Sequence, residues 1–563
     1  MVPRLRRLPP WSRPLGISAV LLAIMLIGVS PAPGAGGAYS RSVPLEMMIV
    51  GVTAEEYAAE QASLHGWLMK EMPTGVLSAP ITVILTDQEK ADLRKHQEGG
   101  NGPAVVGRTK PISQAVRFSS LDAGLLSGSP RRAAGGLLQA TSDGGFVWAM
   151  AIASQGAGAL RLHIQNLDLP PDADLFFFSP DGLAFGPYTR RGPGGDGEFW
   201  THTVFGSQGV ILVRHYGPDG AADLKRTSFS VSEVGHVSPK FAPAAGATVE
   251  TFCSFNVECI ENASCHNGTP AEAAKSAVAL MQWISGAYIY TCTGGLLNDT
   301  VSSSQIPYFL TANHCLSSNR IAKNLETYFQ FSISCNSYDC PQQTYPGGIQ
   351  RLGASVVATG NAGDFTLLQL SQAPPAGSVF LGWNNTPIHA APSSTKLYRI
   401  SHPNWAPQAY SDQHVDATAP TCTGWPRGER IYSRTDAAGT EGGSSGSPVV
   451  NSSGQVVGQL SGACGTNVYD ECDYTSNATV DGAFAYYWPS VQPYLDPSGG
   501  CTPVPEVCAD GNDNDCDTLI DCADPDCATA PNCSCSPAGS ACTVNSDCCS
   551  NSCKGKPGKK TCR

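Results

Sequence analysis

Cysteine is absent from the first 252 residues, although the chain carries 22 in all. No disulfide can therefore tie that N-terminal part to the rest. Charge is also scarce: Asp, Glu, Lys and Arg make up 15 % of the 563 residues, and the formal balance is −12. With no long basic run either, nucleic-acid binding is excluded as the main role. Beyond the N-terminus, no stretch approaches the roughly 20 apolar residues that a membrane helix needs. Long helices are disfavoured too, because Gly and Pro number 60 and 42 and punctuate the chain throughout. That composition suits a loop-rich β protein.

What is present begins with a targeting pattern. Arg4, Arg6, Arg7 and Arg13 precede an apolar run from Leu15 to Val29, followed by the small residues Ala32, Ala35 and Ala38. Residues 1–38 read as a secretory signal, the apolar run being short for a membrane anchor. Cysteine counts agree with an oxidising destination: ten fall in 253–472 and twelve in 501–562, both even. Extracellular localisation is expected, as a monomer without membrane attachment once processed.

The chemistry concentrates in Thr-Glu-Gly-Gly-Ser-Ser-Gly-Ser-Pro, residues 440–448. Ser445 lies between glycines that permit a tight turn and close approach of a carbonyl. The N–H groups of Gly443 and Ser445 are placed to converge on one developing oxyanion. A hydroxyl needs a base, and the base an orienting carboxylate. Tyr308-Phe-Leu-Thr-Ala-Asn-His-Cys315 delivers His314 at the end of an apolar strand, and Asp364 opens another, Phe365–Leu370.

The order His, Asp, Ser on separate strands resembles the trypsin/chymotrypsin family, with its Ala-x-His-Cys and Gly-Asp-Ser-Gly-Gly-Pro motifs. Gly-Ser-Ser-Gly-Ser-Pro, Val456-Val-Gly-Gln-Leu460, and Cys253 and Cys259 ahead of the first strand are more similar to bacterial lysyl endopeptidases. The likeness covers roughly 248–498. It implies a mainly β fold: a double β-barrel protease domain, a preceding β-sandwich pro-region, and small disulfide-rich modules after it. It implies the bridges Cys292–Cys315, Cys253–Cys464 and Cys259–Cys335. It also implies protein or peptide substrates and no cofactor for catalysis.

Specificity departs from the family. Trypsin places an aspartate six residues before its nucleophile, and Gly439 stands there. The aspartate and histidine of lysyl endopeptidase pockets fall at Thr479 and Ser461. Ser461, Gly462 and Ala463 are expected to line the pocket and pair with substrate backbone. A pocket for neutral or small residues is expected, with a basic preference through Asp481 as the alternative. Trypsin's activating aspartate is replaced by Ser444, so pairing with a freed N-terminus is excluded as the switch.

Along the chain, residues 39–139 are mixed, with a helix expected after Thr53 from the Thr53/Glu56 capping-box pattern. Residues 140–247 read as a β-sandwich and, by resemblance, as the remainder of a removable pro-region; an independent binding sandwich is the other reading. The protease spans 248–498, its terminal helix shortened or made irregular by Pro493. In 499–533, Asp510, Asn512, Asn514 and Asp521 have EF-hand-like spacing, although Asp515 replaces the usual glycine. Structural calcium and a plain solvated acidic linker are both open there. Residues 534–563 resemble an inhibitor cystine knot. A non-catalytic binding protein on a protease scaffold is the competing function, but such proteins usually lack a catalytic residue and none is missing here.

Overall fold

The computed structural model describes residues 40–48, 51–98, 103–119, 121–241, 255, 257–301, 304–335 and 348–497, then 506–508, 525–527, 539–545, 552–556 and 559–563. The 1–38 segment, Cys253, Cys340, and the calcium candidates Asp510, Asn512, Asn514 and Asp521 lie outside them.

A β-sandwich comes first. One sheet runs in the order Ala184–Thr189, Ala173–Phe178, Gln208–His215, Phe146–Ser154, Gly136–Ala140 and Arg131–Ala133. The facing sheet holds Ala159–Asp168, Ser228–Val237 and Ala104–Ser119. Runs such as Phe146–Ser154, buried at almost every position, are too apolar for a half-solvated surface and lie between two covers. Phe118, Trp148 and Phe229 form the centre of the core, with ring centroids 5.2–5.4 Å apart. On the outer side, helix Ala54–Glu71 buries Leu68 against Phe176, Phe178 and Val147. Its start is the expected capping box, Thr53 and Glu56 satisfying each other's backbone N–H. The sandwich is wider than sequence patterning indicates, because Ile81–Val83, Ala104–Ser119, Arg131–Ala133 and Gly136–Ala140 all join it from the stretch read as mixed.

Two six-stranded barrels follow. In the first, Val278–Ser285, Tyr288–Leu296, Tyr308–Ala312, Phe365–Leu370, the bent strand Ile349–Gly360 and Glu326–Phe329 close on one another. In the second, the circuit is Lys396–Ser401, Ala409–Val415, Arg430–Thr435, Asn477–Ala483, Val456–Gly465 and Pro448–Asn451. Closure leaves no free edge along these circuits. Helix Phe484–Leu495 packs across both barrels, Tyr487 stacking on Phe365 at 4.3 Å and Trp488 lying 4.4 Å from Trp383. It runs 12 residues through both Pro489 and Pro493. Buried Phe484, Tyr487, Trp488 and Val491 hold it there despite the lost backbone donors, so of the expected short or irregular helix the shortening does not occur.

The N-terminal sandwich and the barrels share structure. Ala104–Ser119 pairs with Ser228–Val237 in the sandwich and also, through Ala104–Arg108, with Tyr288–Thr291 of the first barrel. Beside that seam Glu326 is fully buried, accepting hydrogen bonds from Thr203, Gln350 and Tyr328 and lying 3.9 Å from the Arg161 guanidinium. A separate strap, Ser42–Met47, adds short strands to Trp383–Asn384 and Val379–Phe380. Arg41 is salt-bridged to the buried Asp496 carboxylate, and Val43 is buried. Gly382 permits the strap's approach, since a Cβ there would lie 2.2 Å from the Val43 carbonyl.

Cysteine pairing agrees with expectation at one bridge and departs at the others. Cys292 is joined to Cys315. Cys259, however, pairs with Cys472 rather than Cys335, and Cys464 with Cys422 rather than Cys253. Cys335 is taken by Cys265. A bridge forms where two Cβ atoms meet at the right distance, which spacing in the chain does not encode.

Candidate active site

His314 follows the strand Tyr308–Ala312 by two residues, and Asp364 directly precedes its neighbour Phe365–Leu370. Antiparallel pairing of Ala312 with Phe365 therefore brings the two together. The Asp364 carboxylate accepts from the His314 backbone N–H at 2.9 Å and faces its Nδ1 at 2.8 Å. With Nδ1–H donated to the carboxylate, Nε2 is left as the acceptor. Asp364 is 6 % exposed and holds a left-handed backbone, φ 51°, which a non-glycine residue adopts at a cost. Its carbonyl accepts from Gln459 Nε2 at 2.8 Å, and Gln459 Oε1 accepts from the Tyr487 hydroxyl at 2.5 Å. Gln459 and Tyr487 are positioning residues that sequence reasoning missed, since nothing local distinguishes a buried glutamine in a strand.

Ser445 precedes the second-barrel strand Pro448–Asn451 and is held in place by the first barrel. Thr293, one residue beyond Cys292, donates its N–H to the Ser445 carbonyl at 2.8 Å. Gly446, at φ 81°, lies against the histidine-bearing strand, where a Cβ would sit 2.2 Å from Thr311 Oγ1 and 2.8 Å from Ala312 N. Only glycine fits there. No hydrogen bond joins His314 Nε2 to Ser445 Oγ among the described residues; such contacts often tighten only with substrate bound.

The preceding turn leaves backbone donors unspent. Ser444 N–H bonds the Glu441 carbonyl at 3.0 Å around Gly443 at φ 92°. The Gly442 carbonyl accepts from Asn404 N–H at 2.7 Å, and the Gly443 carbonyl from Thr293 Oγ1 at 2.9 Å. In a planar trans peptide, fixing the Gly442 carbonyl on one side turns the Gly443 N–H to the other. Among the described residues, neither the Gly443 nor the Ser445 N–H donates to protein. Two donors are thus left for a ligand oxygen. Ser444 is fully buried, its hydroxyl bonded to Ser401 at 3.0 Å.

The expected pocket residues are scattered in role. Ser461 is buried with its Oγ unpartnered, Gly462 lies beneath the Trp425 ring, and Ala463 is exposed. Gly439 is buried, its N–H bonding the Cys259 carbonyl at 2.8 Å. Thr479 pairs opposite Ala463 in the neighbouring strand. Asp481 requires correction as a substrate carboxylate. It is fully buried and bonded to Arg399 Nη2 at 2.6 Å, while Arg399 Nη1 donates to the Ser447 carbonyl at 3.0 Å. A carboxylate already neutralised by a buried guanidinium is not free for a lysine substrate.

Cys292, His314 and Cys315 come within metal-binding reach of one another, but both sulfurs are consumed by the disulfide. His402, next to this turn, is fully buried, donates from Nδ1 to the Ala406 carbonyl at 2.9 Å, and is pushed down to about 4 by burial.

Residues 250–476 match the family model "Lysyl endopeptidase, C-terminal domain". A curated relative, lysyl endopeptidase of Pseudomonas aeruginosa, is 27 % identical over 359 residues, covering 60 % of this chain and 74 % of that protein. Among solved structures, the HtrA-type protease AlgW with tripeptide is 13 % identical with a TM-score of 0.30, covering 40 % of this chain; the chain spans 63 % of its length. The Rv3671c protease from M. tuberculosis, active form, is 16 % identical at a TM-score of 0.27, covering 44 % of this chain and 93 % of its own. The family-model match and the P. aeruginosa relative together support a trypsin-like serine endopeptidase, the likeness to lysyl endopeptidases lying in residues 250–476.

Proposed function

We propose that the protein is a secreted endopeptidase that works through an acyl-enzyme, with Ser445 as nucleophile. His314 Nε2 takes the Ser445 proton as the hydroxyl attacks the peptide carbonyl, and returns it to the departing amine. Asp364 fixes the imidazole tautomer and stabilises the imidazolium. The Gly443 and Ser445 N–H groups receive the oxyanion. The observation that carries this reading is the pairing of the 2.8 Å His314–Asp364 contact with two unspent N–H groups in the turn at Ser445.

The chain is proposed to be made as a precursor that enters the secretory path through residues 1–38. Residues from about 39 to 247 then act as folding aid and inhibitor and are cleaved away. The buried Ser444–Ser401 hydroxyl pair supports an activation route other than insertion of a new N-terminus, because the residue before Ser445 offers an ammonium a hydroxyl and not a carboxylate. For the pocket we propose neutral or small residues before the scissile bond. Lysine cleavage is the property of the relative's name; here the Arg399–Asp481 pair argues against it.

Ser445→Ala should lower turnover by about four to six orders of magnitude with folding unchanged. Peptidase activity at the wild-type level in purified Ser445→Ala would end the assignment. Cleavage-site profiling of the processed enzyme on a denatured proteome tests the pocket, and cleavage confined to Lys or Arg sites would reject it.

A further inference from the structure

One edge of the strand Tyr288–Leu296 reads like a ruler across the active site. Gly295 and Leu296 pair with Leu310 and Phe309 of the histidine-bearing strand. Thr293 on the same edge donates to the Ser445 carbonyl at 2.8 Å. Alternate residues of a strand present their backbone groups to the same side, so Thr291 faces that way too. Its partner is Ala104, followed by Val105, Gly107 and Arg108 opposite Tyr290, Ile289 and Tyr288. Ala104 is close to the turn at Ser445 as well: its Cβ is 3.9 Å from where a Gly442 Cβ would be.

A peptide crossing the nucleophile has two halves, one that becomes the acyl group and one that leaves. The acyl half belongs beside Ser461–Ala463 in the second barrel, on the reading given above. The departing half must run out past the turn at Ser445 along the first barrel, and the backbone edge there is Tyr288–Thr291, which Ala104–Arg108 covers. Strand addition to such an edge is a general mode of peptide binding, with main-chain hydrogen bonds supplying affinity.

We propose that Ala104–Arg108 occupies this edge as a surrogate for the leaving half of a substrate, so that the precursor is latent because peptides cannot extend beyond the scissile bond. The contact is anchored from both sides. Val106 is fully buried in a cluster with Trp200, Ile289, Tyr328 and Trp405, and Thr109 N–H bonds the Ala287 carbonyl at 2.9 Å. The buried Arg161, Thr203 and Glu326 group lies along the same seam. These contacts do not involve residues 242–254, so cutting there would leave the strand in place, and because none is covalent and the sandwich has no cysteine, it can then leave. Activation then requires departure of the sandwich, not cleavage alone.

This rests on the serine-endopeptidase reading, and the test separates the two. Intact full-length chain and processed enzyme are compared with a fluorophosphonate, which places nothing beyond the reacting atom, and with an internally quenched peptide extending four residues past the cleavage site. In the intact chain, Ser445 labelling is expected within about tenfold of the processed enzyme, while peptide cleavage is at least about 100-fold slower. Ala104→Pro, which removes the first strand N–H, should restore peptide cleavage and leave labelling unchanged. Equal suppression of labelling and cleavage in the intact chain would place the block at the nucleophile itself and overturn the proposal. So would peptide cleavage by the intact chain at the processed rate. Failure to label Ser445 in the processed enzyme would instead sink the endopeptidase reading.

Discussion

Replacing Asp481 by Asn separates a structural carboxylate from a specificity carboxylate. Both side chains of the Arg399–Asp481 pair have no solvent exposure, and Arg399 also holds the Ser447 carbonyl and hydroxyl, two residues after Ser445. Burial pushes the Asp481 carboxyl upward while the guanidinium opposes it. Removing one charge leaves the other buried and uncompensated, which typically costs about 3–5 kcal/mol. For a domain of this size each kcal/mol shifts Tm by about 2–4 °C, so the expected fall is about 6–20 °C. The measurement is thermal denaturation in a Ser445→Ala background, which prevents self-digestion. The double change Arg399→Met with Asp481→Leu should regain much of the lost stability, since a buried pair exchanged for apolar groups is often neutral. It should remain slow in active enzyme, because Ser447 has lost its donor. An unchanged Tm in Asp481→Asn, with selective loss of cleavage after basic residues, would refute the reasoning and restore the carboxylate to the pocket.

Acid should weaken the full-length chain in a defined window. His202, His236 and His402 are each lowered to about 4 by burial. A histidine depressed in the folded state contributes fully above its unfolded value and loses that contribution as pH falls from about 6.5 toward 4, at about 1.4 kcal/mol per unit and group. Tm of the full-length Ser445→Ala chain should fall between pH 7 and pH 4.5, and a flat profile would contradict neutral burial. At the strap, Gly382→Ala should loosen Ser42–Met47, with a cost of about 1–3 kcal/mol from the forced contact with Val43. Faster hydrogen exchange in those residues checks it, and unchanged exchange would show that the strap does not need the glycine.

Sequence alone determined the features that chemistry and local geometry impose on short stretches. His314 and Asp364 stand out because each adjoins an apolar strand, and Ser445 because its flanking glycines meet a demand for space that Gly446 satisfies at 2.2 Å from Thr311. The helix start at Thr53 was legible for the same reason, its cap lying within four residues. Tertiary structure decided whatever depends on a partner far along the chain. Asp481 looks like a pocket carboxylate until Arg399, 82 residues away, is found against it. Cys259 and Cys464 choose Cys472 and Cys422 because barrel closure brings those Cβ atoms together. Ala104–Ser119 shows no sign in its residues of serving two sheets, because backbone hydrogen bonding is indifferent to side-chain identity; which edge a strand joins is settled by the surfaces packed around it.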